Sequence, residues 1–422
     1  MKHSPRVVVL VLGALARSAF AQVPPAAPPP AAPAAPAPSE PPPAPAPPEP
    51  PAPPPAEPRS EDASSAAPSA EPAVPDRALT LDSLVLSAAN RIDINFFGDV
   101  SLIQVRHGNG EFEIGPLGIQ ATAHLADRLS GRTEWITKFK NAQTVVDLER
   151  LYLEYRTERW AIEAGRTHAE LGYWNTAFHH GTWLQLTIRR PRVLDFEEGG
   201  GILETHSIGL TGVYGPKRGD HGVEFLVSVG NGRGRTIDAV QNTGDNNWAK
   251  SVLLRISSVG IGHPALRFGM NAQFDKIAPE DAAVRPLLPN RSIYEFVTGV
   301  FLALRSERLI VYSETYNIVH RAAGQTWQFT DGFLLAGVRF GQFVPYGEFE
   351  MRRGDGFTDP YYRPDVMTTG SLSVPPDGFR EVTAGIRYDA SAWSALKLEL
   401  AGARFQHSQD DYRVELNWSF GR

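Results

Sequence analysis

Apolar and polar residues alternate along most of the chain after residue 79. In the last segment, DYRVELNWSFGR, apolar side chains occupy every second position from Tyr412 to Phe420, with charged or polar residues between them. Alternation with a period of two predicts β-strands, and no long stretch has the spacing of an amphipathic helix. The sixteen predicted strands lie near 91–105, 116–126, 132–140, 147–156, 159–166, 202–214, 222–230, 248–257, 265–275, 292–305, 308–318, 327–340, 343–352, 380–389, 394–405 and 411–420.

Alternation alone fits both a soluble β-sandwich and a membrane barrel, but strand length and connections separate them. Most of the predicted strands have about ten residues, the length that a tilted strand needs to cross a bilayer, whereas sandwich strands are usually nearer five or six residues. Short connections such as SE, GQ and SAW alternate with longer polar ones such as RHGNGEFEIG and RAAGQT. This rhythm favours an all-β fold, a transmembrane antiparallel β-barrel of about 16 strands.

The N-terminal residues predict export and a spacer. Residues 1–21 combine basic residues, a short apolar run and the small-residue site Ala19-Phe20-Ala21, which is typical of a cleaved signal peptide. Residues 22–78 are rich in Pro and Ala, and 23 of the 36 prolines lie between Pro24 and Pro75. Such a segment cannot form a packed core, so we expect a disordered, extended periplasmic tether. We expect this tether to act as a spacer, or alternatively to touch the cell wall. The barrel is assigned to residues 79–422.

Composition narrows the classes of function. The chain has no Cys, so neither a disulfide framework nor a thiolate metal site is available. Its formal charge is −6, and removal of residues 1–21 takes away three basic residues and no acidic one, which leaves −9. An acidic balance without a basic patch predicts no nucleic-acid partner.

With these features the chain resembles members of the outer-membrane porin superfamily, specifically the sixteen-stranded general and phosphate-selective-type porins. The resemblance covers about residues 80–422 and rests on architecture and on the terminal strand DYRVELNWSFGR. It implies a water-filled pore in outer-membrane lipid, often a homotrimer, narrowed by the third external loop. In the family the barrel-assembly machinery reads an aromatic last residue, whereas here Gly421 and Arg422 follow Phe420.

The third long connection, about residues 167–201, is therefore the predicted constriction loop. Its charges would set up a transverse field, and charge clusters at a narrow point select ions and orient polar solutes. The alternative is a loop that packs on the barrel rim or on a neighbouring subunit. The predicted constriction residues are Arg189, Arg190, Arg192, Asp195, Glu197, Glu198, His179 and His180.

Charges of both signs occupy the polar faces of the predicted strands. The predicted lumen-facing residues are Arg150, Glu154, Arg255, Glu295, Arg305, Arg387, Lys397, Glu399, Arg413 and Glu415. No one-sided track of basic residues is visible, so we expect weak or mixed selectivity. The predicted function is passive diffusion of small hydrophilic solutes or ions.

The sequence offers little support for a metal site or a catalytic site. Adjacent histidines on an extended chain point in opposite directions, and His168 is eleven residues from His179, so no metal or other cofactor is expected. No nucleophile with a base is evident, and no enzymatic activity is expected. Two alternatives stay open: a non-conducting barrel that serves as an anchor or scaffold, and an outer-membrane barrel hydrolase.

Overall fold

A computed structural model describes residues 91–105, 110–140, 143–179, 181–196, 201–217, 219–235, 247–362 and 377–422. The predicted signal peptide and Pro/Ala-rich tether lie outside these residues. No helix within the described ranges is long and apolar enough to cross a membrane.

Seventeen strands make up the sheet in the described part of the chain. They are β1 (Ile92–Val105), β2 (Glu111–Ile114), β3 (Leu117–Ala126), β4 (Leu129–Lys140), β5 (Gln143–Arg156), β6 (Trp160–His168), β7 (His206–Tyr214), β8 (Gly222–Gly230), β9 (Ser251–Val259), β10 (Leu266–Ile277), β11 (Ile293–Arg305), β12 (Leu309–Ala322), β13 (Gln325–Val338), β14 (Phe343–Gly354), β15 (Phe379–Ser391), β16 (Ser394–Phe405) and β17 (Asp411–Gly421). The only helical elements described are α1 (Trp174–Ala177) and 3-10 turns at Arg192–Leu194 and Asp355–Thr358.

The sheet closes on itself, and every strand pair is antiparallel. β1 pairs with β17 from Phe97↔Gly421 to Val105↔Arg413, and the Arg422 N–H donates to the Phe96 carbonyl at 2.8 Å. β2 and β3 together occupy one position beside β1, because the strand is interrupted at residues 115–116 with a one-residue shift in register. Such a shift is a β-bulge. The predicted fold class is thus confirmed as a closed barrel with sixteen strand positions, although β2 was not predicted.

The two faces of the wall have opposite character. On β16, Leu396, Leu398 and Leu400 are exposed on the outside, whereas Lys397 and Glu399 are buried inside. A soluble sheet would show the reverse, while a barrel in lipid presents its apolar face outward. Aromatic pairs stand near strand ends on the outer face, for example Trp160 and Tyr214 with ring centroids 4.6 Å apart.

Connections at one end of the barrel have two to seven residues, as in the two residues between β15 and β16, whereas four of the eight at the other end, those after β6, β8, β10 and β14, have 15 or more. The connection RAAGQT is not among them and corrects the prediction of a longer loop. β12 and β13 continue to a two-residue turn in which Ala323 and Gly324 have φ of 49° and 80°. Positive φ at both positions is what a type I′ hairpin turn requires.

Candidate functional site

In the connection from β6 to β7 the structure describes residues 169–179, 181–196 and 201–205, which fold into the barrel, and we call them the inserted loop. Its two ends meet where the Ala169 N–H donates to the Thr205 carbonyl at 2.9 Å. The Asn175 side-chain amide lies across this junction and donates to the carbonyls of both residues, at 2.8 and 3.1 Å. The loop is therefore closed at its base by main-chain pairing, and its remaining residues reach other strands of the wall.

Aromatic packing seats the first part of the inserted loop. Trp174 is fully buried, with its ring 5.7 Å from that of Tyr312 and 5.4 Å from that of Phe333 between centroids. Phe178 packs on Trp174 at 4.8 Å. Nearly perpendicular ring pairs at these distances are favourable beyond the area they bury. The lumen consequently holds an apolar cluster against β12 and β13.

A carboxylate on the wall fixes the start of α1. Glu314 of β12 accepts the N–H groups of Tyr173 and Trp174 at 2.8 and 2.6 Å, and it accepts the Tyr316 hydroxyl at 2.5 Å. The first N–H groups of a helix have no partner within it, so an external acceptor satisfies them. Gly172 has φ of +68°, and a Cβ there would collide with Tyr316 and Glu314.

Three charged side chains of β15 and β16 hold the segment 182–188. Arg387 donates to the carbonyls of Trp183 and Gln185, and Lys397 donates to those of Thr182 and Thr187. Glu399 accepts the Ile188 N–H at 2.9 Å. Charge-assisted hydrogen bonds are stronger than neutral ones, so this irregular backbone is tied firmly to the wall although it forms no ladder.

Segment 182–188 lies between two cavities of about 390 Å³ each. The outer cavity opens toward the long connections and is lined by Arg189, Arg192, Glu350, Glu381 and Glu415, among others. The inner cavity lies toward the short turns and is lined by Arg305, Arg339, Arg387, Asp389 and Tyr312, among others. Both cavities are charged, and Gln185 and Ile188 line the outer one while Leu184 and Leu186 line the inner one.

The predicted constriction arginines take two different positions. Arg189 pairs with Glu415 of β17 at 2.9 Å. The Arg192 side chain pairs with Glu381 of β15 at 2.5 Å. Both guanidinium groups line the outer cavity. Burial lowers the pKa of each arginine, but the carboxylates beside them outweigh that effect and raise it, so both remain cations.

Arg190 acts within the loop. It donates to the His179 carbonyl at 2.5 Å, the Leu194 carbonyl at 2.6 Å and the Asn175 side-chain oxygen at 3.1 Å. Its guanidinium also lies 4.3 Å from the centre of the Phe196 ring. Arg190 thus lines the outer cavity as well, but unlike Arg189 and Arg192 it braces the fold of the loop itself.

Among the predicted acids, Asp195 lines the outer cavity. Burial raises the pKa of Asp195 to about 6, although Arg192, Arg190 and Arg189 act in the opposite direction. Its charge therefore changes near pH 6. The other predicted constriction residues, His180, Glu197 and Glu198, lie outside the described part of the chain.

The residues predicted to face the lumen alternate with exposed apolar residues, and nearly all contact an oppositely charged or polar partner. They are Arg150 (with Glu134), Glu154 (with Arg156), Arg255 (with Glu170), Glu295 (with Arg233), Arg387 (with Asp389), Lys397 (with the Thr187 carbonyl), Glu399 (with the Ile188 N–H), Arg413 (with Glu381), Glu415 (with Arg189) and Arg305, which lines the inner cavity. Charges of both signs thus line the lumen.

Histidines that sequence reasoning set aside come together. His168, His179 and His206 offer ring nitrogens within 4.8 Å of one another. The argument from adjacent histidines does not apply, because α1 and the turn after it return His179 to the base of the loop. His206 and Asn175 were missed altogether. The sequence did contain one indication of this cluster, because His168 and His206 lie at the two ends of the same connection.

No family model and no curated protein matches the sequence. Solved structures match the fold at low identity. An anion-selective porin from Comamonas acidovorans has a TM-score of 0.53 and 11% identity over 78% of this chain and 100% of that one. The outer membrane channel DcaP of Acinetobacter baumannii has a TM-score of 0.51 and 12% identity over 78% and 97%.

A third similar structure is the trimer form of OmpT, an outer membrane protein of Vibrio cholerae, with a TM-score of 0.52 and 10% identity over 78% of this chain and 99% of that one. The matches span nearly the full length of the other chains, and they share the closed barrel that the strand pairing defines here. The predicted resemblance is confirmed at the level of architecture: the described residues between 91 and 422 have an outer-membrane porin-type fold.

Proposed function

We propose that this protein is an outer-membrane channel through which small hydrophilic solutes or ions diffuse passively, and that the inserted loop narrows it. The observation that carries the proposal is the position of segment 182–188 between two cavities lined by charges of both signs. A polar interior inside an apolar outer face is the arrangement of a barrel that passes water-soluble molecules. Similarity to a channel and to an anion-selective porin supports the same class of function.

Selectivity in this proposal comes from the outer cavity. Arg189 and Arg192 lie beside Glu415 and Glu381, so a solute would meet positive and negative groups within a few ångströms. Such paired charges orient polar solutes and discriminate only modestly between small cations and anions. We therefore propose mixed selectivity and no enzymatic reaction.

The remaining parts of the proposal concern assembly. Export by residues 1–21, a periplasmic tether over residues 22–78 and reading of the C-terminal strand by the assembly machinery follow from the sequence. Similarity to a trimeric outer membrane protein supports a homotrimer. Native mass spectrometry of the detergent-purified protein tests the trimer, and a single-chain mass would contradict it.

A second candidate function is a non-conducting barrel that anchors the Pro/Ala-rich segment. The apolar cluster around Trp174, Phe178 and Tyr312 favours it, since these side chains fill part of the lumen. Single-channel recording in planar bilayers distinguishes the two. Discrete conductance steps from the purified protein support the channel, and their absence in correctly folded protein overturns it and supports the anchor.

A further inference from the structure

Three histidines and one glutamate converge at the base of the inserted loop. His168 is the last residue of β6 and His206 the first of β7, and the two face each other across the ladder. His179 follows α1. Glu149 lies on β5 between Leu148, which pairs with Trp135, and Arg150, which pairs with Glu134, so it is the extra residue of a β-bulge. Bulges often re-aim a side chain beside a functional site.

The three histidines form a compact set of donor atoms within 4.8 Å of one another, and Glu149 lies beside two of them. The Nε2 atoms of His179 and His206 are 2.9 Å apart. His206 Nε2 is 2.5 Å from Glu149 Oε2, and His179 Nε2 is 3.9 Å from the same oxygen. The His168 ring stacks on that of His179 at 3.5 Å. His168, His179 and Glu149 are buried.

Hydrogen bonds around His179 identify which of its nitrogens bears the proton. Asn175 donates its amide to two carbonyls and accepts a hydrogen bond from Arg190, so its oxygen is the atom that faces His179 Nδ1 at 3.0 Å. An amide oxygen is only an acceptor, so Nδ1 must donate. In the neutral ring Nε2 then carries a lone pair directed at His206. Outer partners of this kind orient histidines that bind metals.

A metal cation suits this grouping of lone pairs. His206 Nε2 can carry one proton, and two acceptors lie beside it, His179 Nε2 at 2.9 Å and Glu149 Oε2 at 2.5 Å. A metal ion instead takes a lone pair from each of them. Imidazole nitrogen with carboxylate oxygen suits zinc, copper and nickel ions, and the chain contains no Cys that would compete.

We propose that His168, His179, His206 and Glu149 bind one divalent transition-metal ion, with zinc as the reference case. Zinc–nitrogen bonds of about 2.0–2.1 Å in a tetrahedral site separate neighbouring donors by roughly 3.3 Å. Binding therefore moves the His179 and His206 nitrogens apart by a few tenths of an ångström, and the His168 ring turns out of its stack. The ion would tie the loop beyond α1 to both of its ends.

The test uses the full-length protein in detergent, freed of metal with a chelator and titrated with Zn²⁺ against a chromophoric competitor. We expect one ion per chain, and a loss of affinity of at least about 100-fold in His179→Ala and in His206→Ala, because second-shell changes alone cost about 10–100-fold. His124→Ala is the matched control, since His124 is an exposed histidine on β3, and it should bind like the unaltered protein.

A second measurement separates binding from misfolding. Zn²⁺ should raise the thermal unfolding midpoint of the unaltered protein and of His124→Ala, and leave that of His179→Ala unchanged. Failure of the unaltered protein to bind Zn²⁺, Cu²⁺ or Ni²⁺ saturably, or undiminished binding by the double variant His179→Ala/His206→Ala, overturns the proposal. Neither measurement depends on conductance, so the metal site and the channel can fail separately.

Discussion

β16 of the wall and the first part of the inserted loop bury different kinds of side chain. On β16 the leucines are exposed and Lys397 and Glu399 are buried, whereas in the loop Trp174 and Phe178 are buried and Arg189 remains half exposed. The wall satisfies its backbone through the strand ladder. The loop has almost no ladder, and buried charges of the wall satisfy its carbonyl and N–H groups instead.

Different interactions therefore hold the wall and the loop in place. A closed ladder does not depend on particular side chains, because every strand donates and accepts main-chain hydrogen bonds. The position of the loop depends on a few side chains that reach irregular backbone. Changes inside the lumen should therefore release the loop while the wall remains folded.

The largest effect should follow from Trp174→Ala. Loss of a buried aromatic side chain costs about 3–5 kcal/mol, and here the cost falls on seating of the loop. We expect faster limited proteolysis within the loop, while heat-resistant migration of the folded barrel in gels persists. Trp160→Ala, which removes an exposed tryptophan at the start of β6, is the control. An equal loss of barrel stability in Trp174→Ala would show that wall and loop form one unit.

The next effect concerns the charged anchors. Lys397→Met removes two charge-assisted hydrogen bonds to loop carbonyls, worth together about 3 kcal/mol or more. A change of this size raises the population of released loop roughly 100-fold. Single-channel traces should then show frequent excursions to a larger conductance. Lys217→Met, in a short turn, should leave the traces unchanged, and unchanged traces for Lys397→Met would contradict the anchoring role.

The same contrast explains how far the sequence predicts the molecule. All sixteen predicted strands are present, because outward and inward positions differ in polarity at every second residue. β2 escaped prediction because it has only four residues before the bulge at residues 115–116.

The site was less predictable. The sequence predicted a constriction at the third connection with Arg189, Arg190 and Arg192 in it, and that role stays a prediction. It could not indicate that Arg190 bonds to the loop itself, or that Glu149 meets His206, because these contacts depend on the conformation of an irregular segment. Period-two alternation carries no information about such a segment.

Substitution of Arg189 and Arg192 tests whether the charges of the outer cavity can be changed without moving the loop. Replacing both with Ala removes two cations from the outer cavity, and each acts on an ion about 4 Å away by about 1 kcal/mol even at the dielectric constant of water. Together the two cations contribute about 2 kcal/mol, so the reversal potential in a KCl gradient should move toward cations, with up to roughly a 30-fold change in permeability ratio. Arg308→Ala, in an exposed turn, should have no effect. Arg190→Ala should instead alter conductance, since Arg190 braces the loop.

The smallest effect should be the response to pH. Burial raises the pKa of Asp195 to about 6, so this carboxyl is charged above that pH and neutral below it. Acidification from about pH 7 to 5 therefore removes one negative charge from the outer cavity and should move the reversal potential toward anions. Asp195→Asn should show the shifted potential already at pH 7 and respond less to acid, whereas Asp127→Asn, in a short turn, should behave like the unaltered protein. If Asp195→Asn responds to pH as strongly as the unaltered protein, the titrating groups are carboxylates of the wall. Charges on the strands, and not on the loop, would then set the selectivity.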